Sequence, residues 1–262
     1  MSDTSNPELD HFVRGRGPGL LLAHGAGSDI QDSFGPLIER LAEEHTVVAP
    51  DFPGSGNTPR ARTPLTVDGL ADALVRSADR AGLSTFAVLG FSTGSPVAVR
   101  IASRYPDRVR ALVLSAGFAY PNPQLRLAVR IWRELGRVAD QRTLASYLAM
   151  VVFGRCWLDE RTEYEIAELV AEFAENLPPG MDDHLDLLER IDVRADLAEI
   201  SAPTLVISAA EDKLISAANA RELQAGIAGA QAAELPCGHA MAAESPAEWA
   251  TAITDFLREH PR

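Results

Sequence analysis

Phe86-Ala87-Val88-Leu89-Gly90-Phe91-Ser92-Thr93-Gly94 decides how this 262-residue chain is read. An apolar run leads into G-x-S-x-G, and a helical pattern follows over 96–103. That succession predicts a buried strand, a sharp turn and a helix. A serine at such a turn sits in a strained backbone conformation, and a Cβ on either flanking glycine would crowd it. The turn lifts the Ser92 hydroxyl clear of the sheet and aims the Thr93 N–H where a tetrahedral oxyanion would form. Taken alone, the pentapeptide also fits a tight turn with a spare serine. A base, an acid and a second oxyanion donor in matching context decide between the two.

The second donor is expected at His24-Gly25-Ala26-Gly27, which follows the buried-strand pattern Gly19-Leu20-Leu21-Leu22-Ala23. A glycine there lets the chain reverse close to the sheet edge, so that the Ala26 N–H faces the same oxygen as that of Thr93. His24 itself reads as a structural histidine that hydrogen-bonds the loop. The base is His239, in the loop Leu235-Pro236-Cys237-Gly238-His239 after a late strand. Histidine suits proton transfer because its ordinary pKa lies near working pH. The other histidines fit other places: His11 near the N-terminus, His45 closing the first helix as a cation at the helix dipole, His184 on a surface helix, His260 in the tail. The acid is Asp212, in the loop Ala209-Ala210-Glu211-Asp212 leaving the strand Pro203-Thr204-Leu205-Val206-Ile207-Ser208. Glu211 is its competitor; the offset from the strand and the shorter side chain favour Asp212. The chain order is then Ser92, Asp212, His239.

These pieces together resemble the α/β-hydrolase superfamily, in its capped esterase, lactonase and haloperoxidase-like branch. His24-Gly25, Asp51-Phe52-Pro53-Gly54-Ser55-Gly56 and the Ser92 pentapeptide carry the resemblance. So do Tyr105-Pro106-Asp107-Arg108-Val109 ahead of Ala111-Leu112-Val113-Leu114, then Asp196-Leu197-Ala198-Glu199-Ile200 ahead of Pro203, and Gly238-His239 with Glu244 and Pro246. The resemblance implies a mostly parallel, doubly wound α/β sheet with a helical cap inserted after the sixth strand. Only His11-Phe12-Val13-Arg14 reads as strand ahead of the His-Gly strand, which leaves the family's first strand without a counterpart. Departures lie at the site: Phe91 before the nucleophile, Thr93 after it, and a small Ala26 at the second donor, which suggests a roomy pocket.

Strand-like and helical runs alternate over 19–119, with strands at 46–52 and 110–115 and a helix at 67–81. Such alternation means parallel strands covered on both faces. It stops at 120–200, where helical patterns follow one another, and resumes at Pro203. The reading is a core of 1–119 and 201–262 with a helical cap of 120–200 over the C-terminal edge of the sheet. The cap holds Trp132, Tyr147, Phe153, Trp157, Tyr164 and Phe173. One or two of these are expected to face the site; with Phe91, Trp132 and Trp157 are the candidates for substrate contact.

The formal charge of −13 argues against nucleic acid and anionic membrane surfaces as partners, since both are polyanions. Cys156 and Cys237 have no metal-ligand spacing and form no disulfide framework; Cys237 reads as a buried inert thiol. The N-terminal segment lacks an apolar core of the kind a signal peptide has, and no apolar run is long enough to span a bilayer. A soluble cytoplasmic protein is expected. The predicted chemistry is serine-dependent cleavage of an ester, thioester or lactone of a small, largely apolar molecule through an acyl-enzyme, with no metal or organic cofactor. The alternatives keep the site for elimination or acyl transfer, or keep the fold for ligand binding. The aspartate-nucleophile reactions of haloalkane dehalogenases and epoxide hydrolases are disfavoured, because this chain has Ser92 at that position.

Overall fold

A computed structural model describes residues 7–260. Seven strands form one sheet: β1 His11–Arg14, β2 Gly19–Ala23, β3 Thr46–Pro50, β4 Phe86–Phe91, β5 Val109–Ser115, β6 Thr204–Ala209 and β7 Gln231–Leu235. Their spatial order is β1-β3-β2-β4-β5-β6-β7. Only β1 runs antiparallel, pairing His11 with Pro50 and Arg14 with Val47; every other pair is parallel. No strand precedes β1 among the described residues.

The helices of the sheet are α1 Ile30–Ala42, α2 Val67–Arg80 and α3 Gly94–Arg104. Five more, α4 Pro123–Val138, α5 Gln141–Val152, α6 Arg155–Asp159, α7 Glu163–Glu175 and α8 Met181–Leu188, fill the span between β5 and β6. A 3₁₀ turn, Arg194–Glu199, leads back to the sheet, and α9 Ala217–Gly226, α10 Met241–Glu244 and α11 Pro246–Glu259 complete the chain. The helical insertion thus follows the fifth described strand, which is the sixth place in a pattern that lacks its first.

The central strands are apolar along their whole length because both faces are covered. Side chains alternate between faces with a period of two. Leu21, Ala23, Val88, Leu112 and Leu114 join a core with α2, α3 and the inserted helices. Leu20, Leu22, Ala87, Leu89 and Val113 join a second core with α1 and α11, where Phe34 stacks on Trp249 with ring centroids 5.6 Å apart. Strand order reverses between β2 and β4, so the crevice at their C-terminal ends is where this kind of sheet binds ligands.

Two histidine expectations fail here. His184 is not on a surface helix face but 1 % exposed, turned inward on α8 with Leu185 and Leu188. His45 does lie beyond α1, and its Nδ1 meets Leu41 O at 3.3 Å. It is buried, however, and burial lowers its pKa, which favours a neutral ring over the expected cation.

Candidate active site

The turn after β4 is built by close backbone approach. Ser92 has φ 52, a left-handed value that only one other non-glycine residue, Ala116, shares among the described residues. A Cβ on Gly90 would lie 2.5 Å from Gly94 O, and one on Gly94 would overlap the Ala23 carbonyl. Glycine is therefore required on both sides, and α3 packs directly onto the end of β2. Ser92 N–H donates to Ser115 O at 2.9 Å, and Ser95 Oγ donates to Gly90 O at 3.0 Å. These bonds hold the strained serine in place.

The three residues expected to act together do meet. His239 Nε2 lies 3.0 Å from Ser92 Oγ, and His239 Nδ1 lies 2.7 Å from Asp212 Oδ2. The natural assignment has Nδ1–H donating to the carboxylate and Nε2 accepting from the hydroxyl. The Asp212 side chain is fully buried, and its Oδ1 accepts from the N–H groups of Leu214 and Ile215, each at 2.8 Å. Three hydrogen bonds therefore fix one carboxylate against one imidazole. Glu211 turns away and accepts from Cys156 N–H at 2.9 Å. Phe91 packs its ring 5.1 Å from that of His239 and touches Phe34 and Trp249 behind it.

Ala26 and Thr93 both border the cavity above Ser92, and neither amide has a hydrogen-bond partner among the described residues. The cavity measures about 340 Å³. Phe91, Trp132, Phe153, Phe173, Leu148 and Leu214 supply much of its apolar wall. Among the described residues its only carboxylates are Asp32, from the first turn of α1, and Glu172, from α7; no Lys or Arg lines it. Partial desolvation of this otherwise exposed residue, helped by Asp29 and Glu172, pushes the Asp32 carboxyl up to about 6.

Of the expected substrate contacts, Phe91 and Trp132 line the cavity and Trp157 does not. Trp157 stacks outside it, with Phe153 at 4.2 Å on one side and the Arg161 guanidinium 3.4 Å from its ring centre. Phe153 takes the inward place instead. Tyr147 donates its hydroxyl to Ala128 O, and Tyr164 is exposed.

His24 is structural, as expected: Nδ1 meets Gly25 O at 2.8 Å and Nε2 accepts from Phe52 N–H at 2.7 Å. Burial, with His184 adding to it, brings its pKa down to about 3. Cys237 is buried, and burial beside Glu244 raises its thiol to about 12, which keeps it protonated and inert. Glu244 was legible only as part of a motif. In the structure its Oε2 accepts from Gly238 N–H at 2.8 Å and Gly154 N–H at 3.1 Å, tying the His239 loop to the inserted helices. Among the described residues no three His, Cys, Asp or Glu side chains cluster as metal ligands do, and no helix is long and apolar enough to cross a membrane.

A model of the alpha/beta hydrolase family matches residues 20–252, nearly the whole described chain. The chain belongs to the alpha/beta hydrolase family. This hydrolase is 31 % identical over 252 residues to the pyrrolizixenacetamide deacetylase of Xenorhabdus hominickii, covering 95 % of this chain and 94 % of that one. It is 31 % identical over 236 residues to the pimeloyl-(acyl-carrier protein) methyl ester esterase of Xanthomonas campestris pv. campestris, covering 86 % and 89 %. In fold the hydrolase is similar to the enol-lactonase of Burkholderia xenovorans LB400, with a TM-score of 0.83 at 24 % identity over 95 % and 96 % of the two chains.

Proposed function

We propose that this hydrolase cleaves an ester, thioester or lactone of a small, largely apolar molecule through an acyl-enzyme on Ser92. The observation that carries the proposal is the continuous hydrogen-bond path from Ser92 Oγ through His239 to a fully buried Asp212, at the floor of an apolar cavity. His239 takes the Ser92 proton as the hydroxyl attacks the carbonyl, and later returns it to the leaving group. Asp212 keeps the imidazole in the tautomer that presents a bare Nε2 and stabilises the imidazolium that forms. The free N–H groups of Ala26 and Thr93 receive the oxyanion, each contributing on the order of 3 kcal/mol to the transition state. Water then attacks the acyl-enzyme with His239 again as base. Segment 120–200 acts as a cap, and its Trp132, Phe153 and Phe173 shape the acyl site. A relative that deacetylates an acetamide brings small N-acetyl compounds into the range worth screening.

A chromogenic acetate ester tests this. Wild-type enzyme is expected to release a burst of about one equivalent of alcohol, followed by slower turnover. Ser92→Ala is expected to abolish the burst and lower kcat by several orders of magnitude while remaining folded. Activity of Ser92→Ala within about tenfold of wild type would remove Ser92 from the mechanism.

A further inference from the structure

The peptide joining Gly25 to Ala26 carries the N–H assigned above to the oxyanion. Its carbonyl, Gly25 O, accepts from His24 Nδ1–H at 2.8 Å. The following peptide, joining Ala26 to Gly27, offers Gly27 N–H to His184 Nδ1 at 3.2 Å. Two histidines therefore hold two successive peptide planes, one on each side of the Ala26 Cα. Both rings are anchored through their far nitrogens to one short loop: Phe52 N–H donates to His24 Nε2 at 2.7 Å, and His184 Nε2–H donates to Pro53 O at 2.9 Å. These partners dictate opposite tautomers, with hydrogen on Nδ1 in His24 and on Nε2 in His184. Neither ring reaches solvent, at 0 % and 1 % exposure, and burial keeps each neutral.

His24 belongs to the end of β2, but His184 arrives from α8, 157 residues along the chain from Gly27. The start of α8 is seated firmly. Gly180 N–H donates to Gly54 O at 2.9 Å, and a Cβ on Gly180 would lie 2.6 Å from the Gly54 Cα, so the two backbones touch. At the rim Arg60 grips Asp183 with two parallel bonds of 2.8 and 2.9 Å. The loop that all this reaches is soft in itself: Gly25 and Gly27 flank Ala26, and Gly27 has φ 65. A Gly27 N–H deprived of its acceptor would turn to find another, because an unpaired donor in a half-buried loop is unfavourable. Rotation there swings the neighbouring peptide as well.

We propose that His184, supplied by the inserted helix α8, is a positioning residue that sets the aim of the Ala26 N–H by holding the adjoining Gly27 peptide through its bare Nδ1. The inference rests on the Ser92 mechanism proposed above. It makes the insertion part of the oxyanion apparatus as well as a wall of the substrate pocket.

Two amide side chains separate the two bonds of the ring. Asn places an oxygen at the level of Nδ1 and can accept from Gly27 N–H; Gln reaches the level of Nε2 and can donate to Pro53 O but offers nothing to Gly27. With the acetate ester, His184→Gln is expected to lose on the order of 10- to 100-fold in kcat, the scale of a misplaced oxyanion donor, with KM changed less than about threefold. Its affinity for a phenylboronic acid, which forms a tetrahedral adduct with an active serine, should fall by a similar factor. His184→Asn should restore kcat to within about threefold of wild type. Equal kcat in the two variants, or losses that merely follow the melting temperature, would overturn the proposal. The wild-type enzyme supplies a check that needs no variant: ¹⁵N spectra should show His184 as the Nε2–H tautomer, and the Nδ1–H tautomer would overturn the assignment. Ser92→Ala is run alongside. An inactive Ser92→Ala with a fully active His184→Gln removes only the role of His184, whereas an active Ser92→Ala removes the mechanism on which it rests.

Discussion

Asp212 and Glu211 are neighbours in sequence with unlike environments, and the difference lies in what each carboxylate touches. Asp212 is buried against His239 Nδ1 and two backbone N–H groups, whereas Glu211 caps the start of α6 through Cys156 N–H. Asp212→Asn is therefore expected to lower kcat by on the order of 10⁴, because an amide can hold the imidazole in the wrong tautomer. Glu211→Gln should stay within about tenfold of wild type; the reverse ranking in steady-state kinetics would reassign the acid. Ser92 and Asp212 were legible because each follows an apolar run that reads as a buried strand, and His239 because a glycine precedes it in a loop after a short late strand. His184 was not. It follows Asp182 and Asp183, which mark a solvated helix face, and its partners Pro53 and Gly27 lie 131 and 157 residues away. Trp157 misled for a related reason: the sequence marks an aromatic-rich helical insertion but not which rings turn inward, and the Arg161 guanidinium gives Trp157 a partner outside the cavity.

At the level of elements, the alternation of strands and helices and its interruption at 120–200 were plain from the hydrophobic period. The joints between insertion and sheet were not, since they are a few polar contacts between residues far apart in the chain. Lys213, the only lysine, donates to Met150 O and Phe153 O and so closes the C-terminal end of α5 with a cation. Glu244 bridges Gly154 and Gly238. These joints set where α5 ends and bring Phe153 to the cavity. On α4, Leu125, Val129 and Trp132 form the inward stripe, and the Trp132 indole N–H points to Met181 Sδ at 3.1 Å. Trp132→Ala is expected to shift the ratio of kcat/KM between long and short acyl esters by about tenfold toward the long ones, since each methylene accommodated in an apolar pocket is worth about 1–3 kcal/mol. Trp157→Ala should leave that ratio within about twofold. A series of chromogenic esters from acetate to octanoate measures both, and an equal shift in the two variants would mean that the inserted helices have moved as a body.

For the whole molecule, the buried neutral histidines link stability to pH. His24 has its pKa lowered from the usual 6.5 to about 3, and that of His184 is lowered in the same direction, in both cases chiefly by burial. On unfolding below pH 6.5 each ring takes up a proton that the native state excludes, so the unfolded chain binds more protons and stability falls as pH falls. His184→Asn removes one such site, with Asp183 the charged neighbour that partly offsets the shift. The stability advantage of wild type over His184→Asn should therefore shrink as pH drops from 6.5, by at most about 1.4 kcal/mol per pH unit. Urea unfolding at a series of pH values measures it; an advantage that grows toward acid would show that native His184 binds a proton.

The two carboxylates on the cavity wall bear on how a catalytic cycle ends. On the chemistry proposed for Ser92, a neutral ester goes in and an anionic acid must come out. Among the described residues Asp32 and Glu172 are the carboxylates on the cavity wall, with no Lys or Arg there to detain the acid. A carboxylate passing within about 8 Å of either meets a repulsion of about 1 kcal/mol at an intermediate dielectric, and dissolved salt weakens it. Partial desolvation and its acidic neighbours raise Asp32 to about 6, so the push is strongest above that pH and fades below it. On that chemistry the cavity wall would act as a valve: indifferent to a neutral ester, adverse to the acid it becomes. Inhibition by the product acid should accordingly be weak at neutral pH and low salt, and should strengthen as either salt or acidity rises.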